Sequence, residues 1–327
     1  MAGNPNYAGI FTATIESRTR KLADNVGKNN ALLTKLREKD NVKTVSGGTK
    51  ILQEMDFTEN TSSGWYSGWD VLTVAPTDTI TAAEFAIKEA YVTMAISGLE
   101  MAQNRGKEAM IDLMEARIKN GEKTLNNLLA AGVYSDGTAA TGKQIGGLAY
   151  LVANSPATGT VGNINRATDT WWRNQSKSAT TDYGGAKTSA NILSYYNKFF
   201  NTLVRGSDGP DLIVADSLDY GMVMDASQDR QILTNAKMAE LGFTNMKYRN
   251  ADLVLDGGIG GNCPASTSYF LNTDYLFWRP MAGYDVTTLK TGGGERIPAT
   301  QDGILEILGW KGNMTMSNAQ LQGVLRP

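Results

Sequence analysis

Apolar and polar residues alternate along residues 50–57 with the two-residue period of a β-strand. A polar cluster at 59–64 follows and marks a turn, and a second turn is expected at 75–78. The chain then returns through 84–96, whose first half suits a helix by propensity and whose second half suits a strand. We favour the strand, because it gives the first strand a partner. Residues 45–97 are therefore predicted to form a long β-hairpin.

After residue 98 the apolar positions recur at three- and four-residue steps, which is the pattern of an amphipathic helix. The apolar positions are Met110, Leu113, Met114, Ile118, Leu125, Leu128 and Leu129. One helix is predicted from about Gly106 to about Gly132, where the glycine is expected to take the left-handed cap conformation. Such a helix is about 40 Å long.

Segments on both sides of this hairpin and helix have other patterns. Residues 11–40 contain few apolar residues, so they are predicted to form an arm with helical pieces that orders against another subunit or another part of the fold. The middle of the chain is predicted to be an α/β module, and the last third is predicted to return as strands to the long helix. The expected middle elements are a helix at 192–203, a strand at 211–216, a helix at 218–226 and a strand at 251–256; the expected late strands are 268–279, 285–290 and 304–316.

Composition excludes much of the usual enzyme chemistry. The 327 residues include 31 basic and 33 acidic side chains, one cysteine and no histidine. Catalysis by serine–histidine or cysteine–histidine pairs is impossible within this chain, and neither a disulfide framework nor a cysteine-built zinc site can form. The near-zero net charge gives no global attraction to nucleic acid or to an anionic membrane. We expect no enzyme activity, no metal, no cofactor and no membrane contact, and the absence of a signal sequence indicates the cytoplasm.

Two glycine-rich stretches approach nucleotide-binding motifs and fail. Residues 137–144 have Gln144 where a phosphate-binding loop has Ser or Thr, and they follow a helix instead of a strand. Residues 257–262 lack the third glycine of a dinucleotide fingerprint. Both are interpreted as turns, and Cys263, which has no base to activate it, is interpreted as an inert thiol.

Aromatic tracts in turn-rich segments are the best candidates for subunit contact. Trp, Tyr and Arg supply much of the energy of protein interfaces, and exposed aromatics are costly unless something covers them. The alternative is that each tract folds back on its own core, and both interpretations remain open. The candidate interface residues are Trp65, Tyr66, Trp69 and Asp70 in the hairpin turn and Trp171, Trp172 and Arg173 in the middle of the chain.

The order of these segments resembles the major capsid proteins of tailed bacteriophages with the Hong Kong 97-like fold. The resemblance covers most of the chain and lies in the succession of segments more than in one strict motif. The stretches that carry it are 62–70, 80–85, 96–100 with the helix that follows to Leu129, 134–137, 145–148 and 159–172.

The resemblance implies an α+β fold with four parts. These are an N-terminal arm (1–44), an extended loop formed by the long hairpin (45–97), a periphery domain with the long spine helix and a β-sheet (98–135 and 271–327), and an axial α/β domain (136–270). It also implies a virion structural protein that forms hexamers, pentamers and then an icosahedral head around double-stranded DNA in the bacterial cytoplasm. The implied partners are copies of the chain, scaffolding and portal proteins, possible decoration proteins, and DNA contacted non-specifically. An encapsulin-like compartment shell is the alternative with the same fold, and a soluble enzyme is the alternative from another class.

Overall fold

The computed structural model describes residues 30–103, 107–227, 245–257, 261–289 and 303–327. Its helices are α1 Ala31–Glu38, α2 Gly98–Gln103, α3 Lys107–Val133, α4 Ala139–Gly142, α5 Leu148–Leu151, α6 Ala179–Tyr183, α7 Ile192–Thr202 and α8 Ser217–Ala226, with 3₁₀ turns at Thr170–Trp172 and Thr273–Tyr275. Its strands are β1 Lys50–Asp56, β2 Ile80–Ala86, β3 Lys88–Ser97, β4 Thr160–Val161, β5 Ile164–Asn165, β6 Gln175–Ser178, β7 Leu212–Ala215, β8 Asn245–Tyr248, β9 Ala251–Leu255, β10 Ser268–Leu271, β11 Leu276–Pro280, β12 Thr287–Thr288, β13 Gly303–Met316 and β14 Gly323–Arg326.

Strands β1 and β2 form the predicted antiparallel hairpin. Their register runs from Lys50 opposite Ala86 to Asp56 opposite Ile80. Ile51 and Met55 are buried on one face, while the residues between them are more exposed, as the alternation predicts. The preference for a strand over a helix at 84–96 is confirmed, since β2 and β3 cover that range.

Strand β3 was predicted to belong to the hairpin, but it joins a second sheet built around the long strand β13, so only 80–86 pair with the first strand. β13 pairs antiparallel with β3, β11 and β12. Helix α3 packs on this sheet and buries Ile118, Leu125 and Leu129, whereas the side chain of Leu128, predicted to share the apolar stripe, is 47% exposed. The long helix therefore lies against the strands of the last third, as predicted.

Helix α3 ends within one residue of the predicted position, but Gly132 does not cap it. Gly132 lies inside the helix and does not have the left-handed conformation predicted for a cap. A Cβ atom there would lie 2.8 Å from Cδ1 of Ile145, so glycine permits the close approach of that side chain. Gly137, four residues beyond the helix, has a left-handed conformation with a φ of 75°.

A six-stranded sheet forms the other half of the molecule, in the order β6-β14-β10-β7-β9-β8. β14 is parallel to β6 and β7 is parallel to β9, while the other neighbours are antiparallel. Helices α7 and α8 accompany this sheet, and Tyr196, Phe199 and Phe270 pack their rings together beneath it. The last strand, β14, thus belongs to this sheet, although 271–327 was predicted to join the long helix.

Helix α1 docks on the body of its own chain. Ala31, Leu32, Leu33 and Leu36 are buried, and Lys35 donates to Asp252 of β9 at 2.8 Å. This part of the predicted arm orders against another part of the fold. Residues 1–29 lie outside the described residues.

Candidate subunit interface

The turn end of the hairpin exposes its apolar side chains almost completely. Trp65 and Trp69 have relative exposures of 106% and 101%. Neither indole packs on the body of the chain. We define the tip surface as the exposed apolar side chains of this region, which are Trp65, Tyr66, Trp69, Val71, Leu72 and Val74.

Local hydrogen bonds fix the backbone of the tip, and none of those described below involves an aromatic ring. Ser62 donates to the carbonyl of Ala75 at 2.8 Å, which ties the two sides of the loop together. The Asp70 carboxylate accepts from the Ser67 amide at 2.8 Å, and the Asp70 amide donates back to the Ser67 carbonyl. Gly68 sits between them with a φ of 48°, which glycine adopts without steric cost. Asp70 thus closes a turn between the two tryptophans.

The root of the hairpin is bonded to the body. Gln53 accepts from Arg279 of β11 at 2.8 Å, and Asn313 of β13 donates to the Ala86 carbonyl at 2.8 Å. The Glu84 amide donates to Gly162 at 2.9 Å, and a Cβ atom on that glycine would lie 2.8 Å from Ala83. The root of the hairpin is therefore fixed to the body, while the tip surface is exposed to solvent.

The second aromatic tract lies inside the chain. Trp172 is 1% exposed, and its indole N–H donates to the Val161 carbonyl at 2.9 Å. Its burial corrects its prediction as an interface residue, because no neighbouring subunit can reach it. Trp171 is half-buried, with its ring 5.4 Å from that of Phe57 and 5.6 Å from that of Trp172. Arg173 donates to the carbonyls of Arg166 and Ala167. Through the contact of Trp171 with Phe57, this tract packs against the end of β1, where the loop of the hairpin begins.

The tip surface is large enough to supply much of one side of an interface. Three aromatic side chains can bury roughly 450–750 Å² when covered. A stable contact buries about 800 Å² on each partner. Val71, Leu72 and Val74, which were not singled out from the sequence, enlarge the surface. The sequence feature that could have identified them is a short apolar run within an otherwise polar, turn-rich stretch of the chain.

Between Lys50 and Lys88, the charged side chains of the hairpin are all acidic. Residues 51–87 contain no Lys or Arg, and their six carboxylates are Glu54, Asp56, Glu59, Asp70, Asp78 and Glu84. Glu84 pairs with Lys50 at 2.5 Å. The other five make no ion pair with any residue that the structure describes.

A buried polar cluster elsewhere in the chain is formed by Lys187, Asp219 and Ser268. Lys187 donates to Asp219 at 2.6 Å and to the carbonyls of Ser266 and Leu325, and Ser268 donates to the same carboxylate at 2.6 Å. Burial raises the pKa of the Cys263 thiol, so the thiol stays protonated. Within the described ranges no group of His, Cys, Asp and Glu side chains is arranged to hold a metal ion, and no helix is long and apolar enough to cross a membrane.

The two larger sheets, the long helix and the hairpin together form an α+β fold. Comparison with solved structures finds the same fold in the subunits of viral and virus-like shells, which confirms the predicted Hong Kong 97-like fold. By sequence, no family model and no curated protein matches the chain.

Three structures illustrate the likeness. The cyanophage A-1(L) capsid subunit has a TM-score of 0.65 at 16% identity, over 86% of this chain and 89% of that one. The capsid of the empty GTA particle gives 0.56 at 14% identity, over 89% and 88%. The procapsid of satellite phage P4 gives 0.52 at 12% identity, over 94% and 97%. At these identities the likeness establishes the fold, and it extends over nearly the whole of each chain.

Proposed function

We propose that the chain is the major capsid subunit of a tailed bacteriophage. Many copies assemble into hexamers and pentamers that close into an icosahedral head around double-stranded DNA. The observation that carries this proposal is the tip surface, with two tryptophans fully exposed on a chain that has the fold of capsid proteins. A contact between one copy's projecting tip and a different surface on the next copy is head-to-tail, and such contacts generate rings and closed shells.

The proposed division of the chain into domains follows the two hydrophobic clusters. One cluster joins α3, the β13 sheet, the root of the hairpin and α1, and it extends onto one face of the six-stranded sheet. The other lies between the six-stranded sheet and helices α7 and α8. We assign the first to the periphery domain and the second to the axial domain, with β14 moved from the predicted periphery range to the axial sheet. The extended loop is the hairpin itself.

The role proposed is structural, without catalysis. The chain lacks histidine, and the described Lys187, Asp219 and Cys263 are buried in contacts that stabilise the fold. The net charge of −2 suits a container that holds DNA without binding its phosphates tightly. Scaffolding and portal proteins are the expected partners in assembly, in the cytoplasm of the bacterial host.

Electron microscopy and light scattering of the purified protein test this proposal. Uniform shells, or rings of capsomers, are expected. Shells that contain an enzyme and no DNA when isolated from the native host would favour the compartment alternative. A monomer at every concentration, with and without co-expressed scaffolding protein, would contradict both.

The double variant Trp65→Ala/Trp69→Ala tests the tip surface. Both side chains are exposed in the isolated chain, so the melting temperature of the monomer is expected to change by less than about 2 °C, as for other surface changes. Shell yield, measured by sedimentation, is expected to fall at least tenfold. Loss of near-ultraviolet circular dichroism in the monomer would instead place these aromatics in the core of their own subunit.

A further inference from the structure

The glycine-rich stretch at 137–144, which fails as a phosphate-binding loop, contains a left-handed turn. Ala140 and Thr141 have φ values of 52° and 59° with ψ at 41°, and Gly142 has a φ of 75°. Residues other than glycine rarely adopt this conformation, and a β-branched side chain such as that of Thr141 makes it more costly. None of the residues 139–142 is buried. Packing on the core therefore does not account for the turn.

Lys88 of β3 holds this turn from the hairpin side. Strained backbone persists where surrounding contacts impose it, and it is common at functional positions. The Lys88 ammonium donates to the Gly142 carbonyl. Lys88 makes no ion pair with any residue that the structure describes, so its charge is directed at this neutral acceptor. The Gly142 amide donates to the Thr138 carbonyl at 3.0 Å, which closes the turn within the loop.

Lys88 lies where the chain passes from the hairpin to the second sheet. Ala86 is the last residue of β2 and pairs with β1, whereas Lys88 is the first residue of β3 and pairs with β13. Ile87 alone separates the two pairings. The backbone at 86–88 therefore determines the direction in which the hairpin leaves the body.

Asn313 of β13 connects the same two segments. Its side-chain amide donates to the Ala86 carbonyl at 2.8 Å, and its Oδ1 accepts from the Gly146 amide at 3.1 Å. The residues on both sides of Ile87 are thus bonded to the loop 136–146, one of them directly and the other through Asn313.

Side chains do not fill the space beside this junction. A cavity of about 280 Å³ lies between the end of β2 and the loop 136–146. It is lined by Glu84, Phe85 and Ala86 on the hairpin side and by Asp136, Thr138 and Gln144 on the loop side. Protein interiors are close-packed, and packed side chains resist movement. Here the two segments are joined by hydrogen bonds beside an open space, so the loss of one bond changes how firmly they are held.

We propose that Lys88 is a positioning residue for the tip surface. By holding the left-handed turn at 140–142, it fixes the direction of the hairpin relative to the body. This inference rests on the proposed function, because the direction matters when the tip has to meet a defined surface on the next copy. A tip that is held in place before contact loses less conformational freedom on binding.

Distances between two spin labels test this in the full chain before assembly. The labels are attached at Asp78→Cys in the hairpin loop and Lys123→Cys on α3, which are both exposed positions, while the natural Cys263 is buried. The distance distribution is expected to be at least twofold wider with Lys88→Met than without it. Lys88→Arg keeps a donor and is expected to restore the narrow distribution. The matched control Lys143→Met removes an exposed lysine from the same loop and should leave the distribution unchanged.

A second variant tests the turn while Lys88 stays in place. Gly142→Val puts a β-branched residue at a φ of 75°, where no neighbouring group lies within 4 Å of the added Cβ atom, so it disturbs the backbone alone. It is expected to widen the distribution as Lys88→Met does. The double variant should be no wider than either single one, because both remove the same contact. Gly184→Val is the matched control, since Gly184 has a φ of 81° in equally open surroundings away from the hairpin, and it should not widen the distribution.

Assembly connects these distances to the proposed function. Shell yield is expected to fall at least fivefold with Lys88→Met and to recover with Lys88→Arg. Normal yield despite a wider distribution would overturn the inference, since the direction of the hairpin would then not matter for assembly.

Other outcomes separate the inference from the function beneath it. A lower melting temperature for Lys88→Met with an unchanged distance distribution would show that Lys88 only stabilises the fold, and the inference would fail while the proposed function stands. An unchanged distribution for Gly142→Val would remove the turn from the inference in the same way. A wild type that never assembles would contradict the proposed function, and the distances would still decide whether Lys88 fixes the hairpin.

Discussion

Tryptophan occupies opposite environments at positions that look alike in the sequence. Trp69 and Trp172 both lie in turn-rich segments of mostly polar and small residues, yet one is fully exposed and the other is in the core. The difference comes from Val161, whose carbonyl satisfies the indole N–H of Trp172 from a short hairpin eleven residues earlier. A contact of this kind depends on how loops fold back on the body, and residue pattern does not encode it locally.

The substitution Trp172→Ala is expected to destabilise the folded chain. It removes a fully buried indole and leaves a cavity, which costs about 3–5 kcal/mol in the free energy of unfolding. Urea denaturation of the monomer measures the loss. A loss below about 1 kcal/mol would mean that the ring is not buried within the subunit.

The half-buried carboxyl of Asp256 is expected to make stability depend on pH. Burial raises its pKa above the ordinary value, although the hydroxyl of Tyr134 donates to it. Because the folded-state pKa lies above that of the unfolded chain, the protonated carboxyl favours the folded state. The stability gained in this way is present below the unfolded pKa and is lost as pH rises through the folded pKa. Asp256→Asn keeps an acceptor for Tyr134 and removes the charge. The variant should therefore be more stable than the wild type at pH 7, and the difference should shrink toward pH 3.5.

Asp182 supplies the control of opposite sign. The Ser178 amide donates to its carboxylate at 2.7 Å and Lys177 lies beside it, and these contacts lower the pKa of Asp182. Asp182→Asn should lose stability near neutral pH. The loss should begin to fade as pH drops below the unfolded pKa and should disappear as pH falls through the lower folded pKa. Unfolding free energies of both variants that ran parallel to the wild type across pH 3.5–7.5 would contradict both assignments.

At the scale of elements, period was a reliable guide where one face is buried and the other is solvated. The alternation at 50–57 located β1, and the helical period located α3 to within one residue at each end. Period could not locate β14, because its buried run Gly323–Leu325 suits either sheet. Its partners β6 and β10 are distant in sequence, so only the assembled sheet selects it.

Glycine marks the junction between α3 and the following segment. A Cβ atom on Gly147 would lie 2.3 Å from the Gly132 carbonyl oxygen and 2.4 Å from that of Val133, and backbone atoms cannot move aside as a side chain can. Gly147→Ala is expected to cost about 3 kcal/mol or more in the free energy of unfolding. Thermal unfolding of the purified variant tests this.

Gly121 is the matched control in the same helix. Its added Cβ atom would meet the flexible side chain of Met94 at 2.7 Å, and alanine improves helix propensity by about 1 kcal/mol. Gly121→Ala should therefore change stability by less than about 1 kcal/mol. Equal losses for the two variants would show that backbone crowding at Gly147 is not the cause.

At the scale of the whole molecule, the hairpin, spine helix and alternation of α and β segments were predictable, and so was the fold they form. Trp65, Tyr66, Trp69 and Asp70 were placed in the exposed turn end of the hairpin, as their polar, glycine-rich surroundings indicate. The surface that would receive the tip under the proposed function was not predictable. Such a face is formed only when distant segments pack together, and no local pattern distinguishes it from ordinary solvated surface.

Strand β14 ties completion of the six-stranded sheet to a late point in synthesis. It lies between β6 and β10 inside the six-stranded sheet, yet it is the last of those strands to leave the ribosome. Until residues 323–326 emerge, β6 has no neighbour in the sheet and β10 has an open edge. A chain that stops before residue 323 therefore cannot complete this sheet, however well the long helix and the β13 sheet have folded.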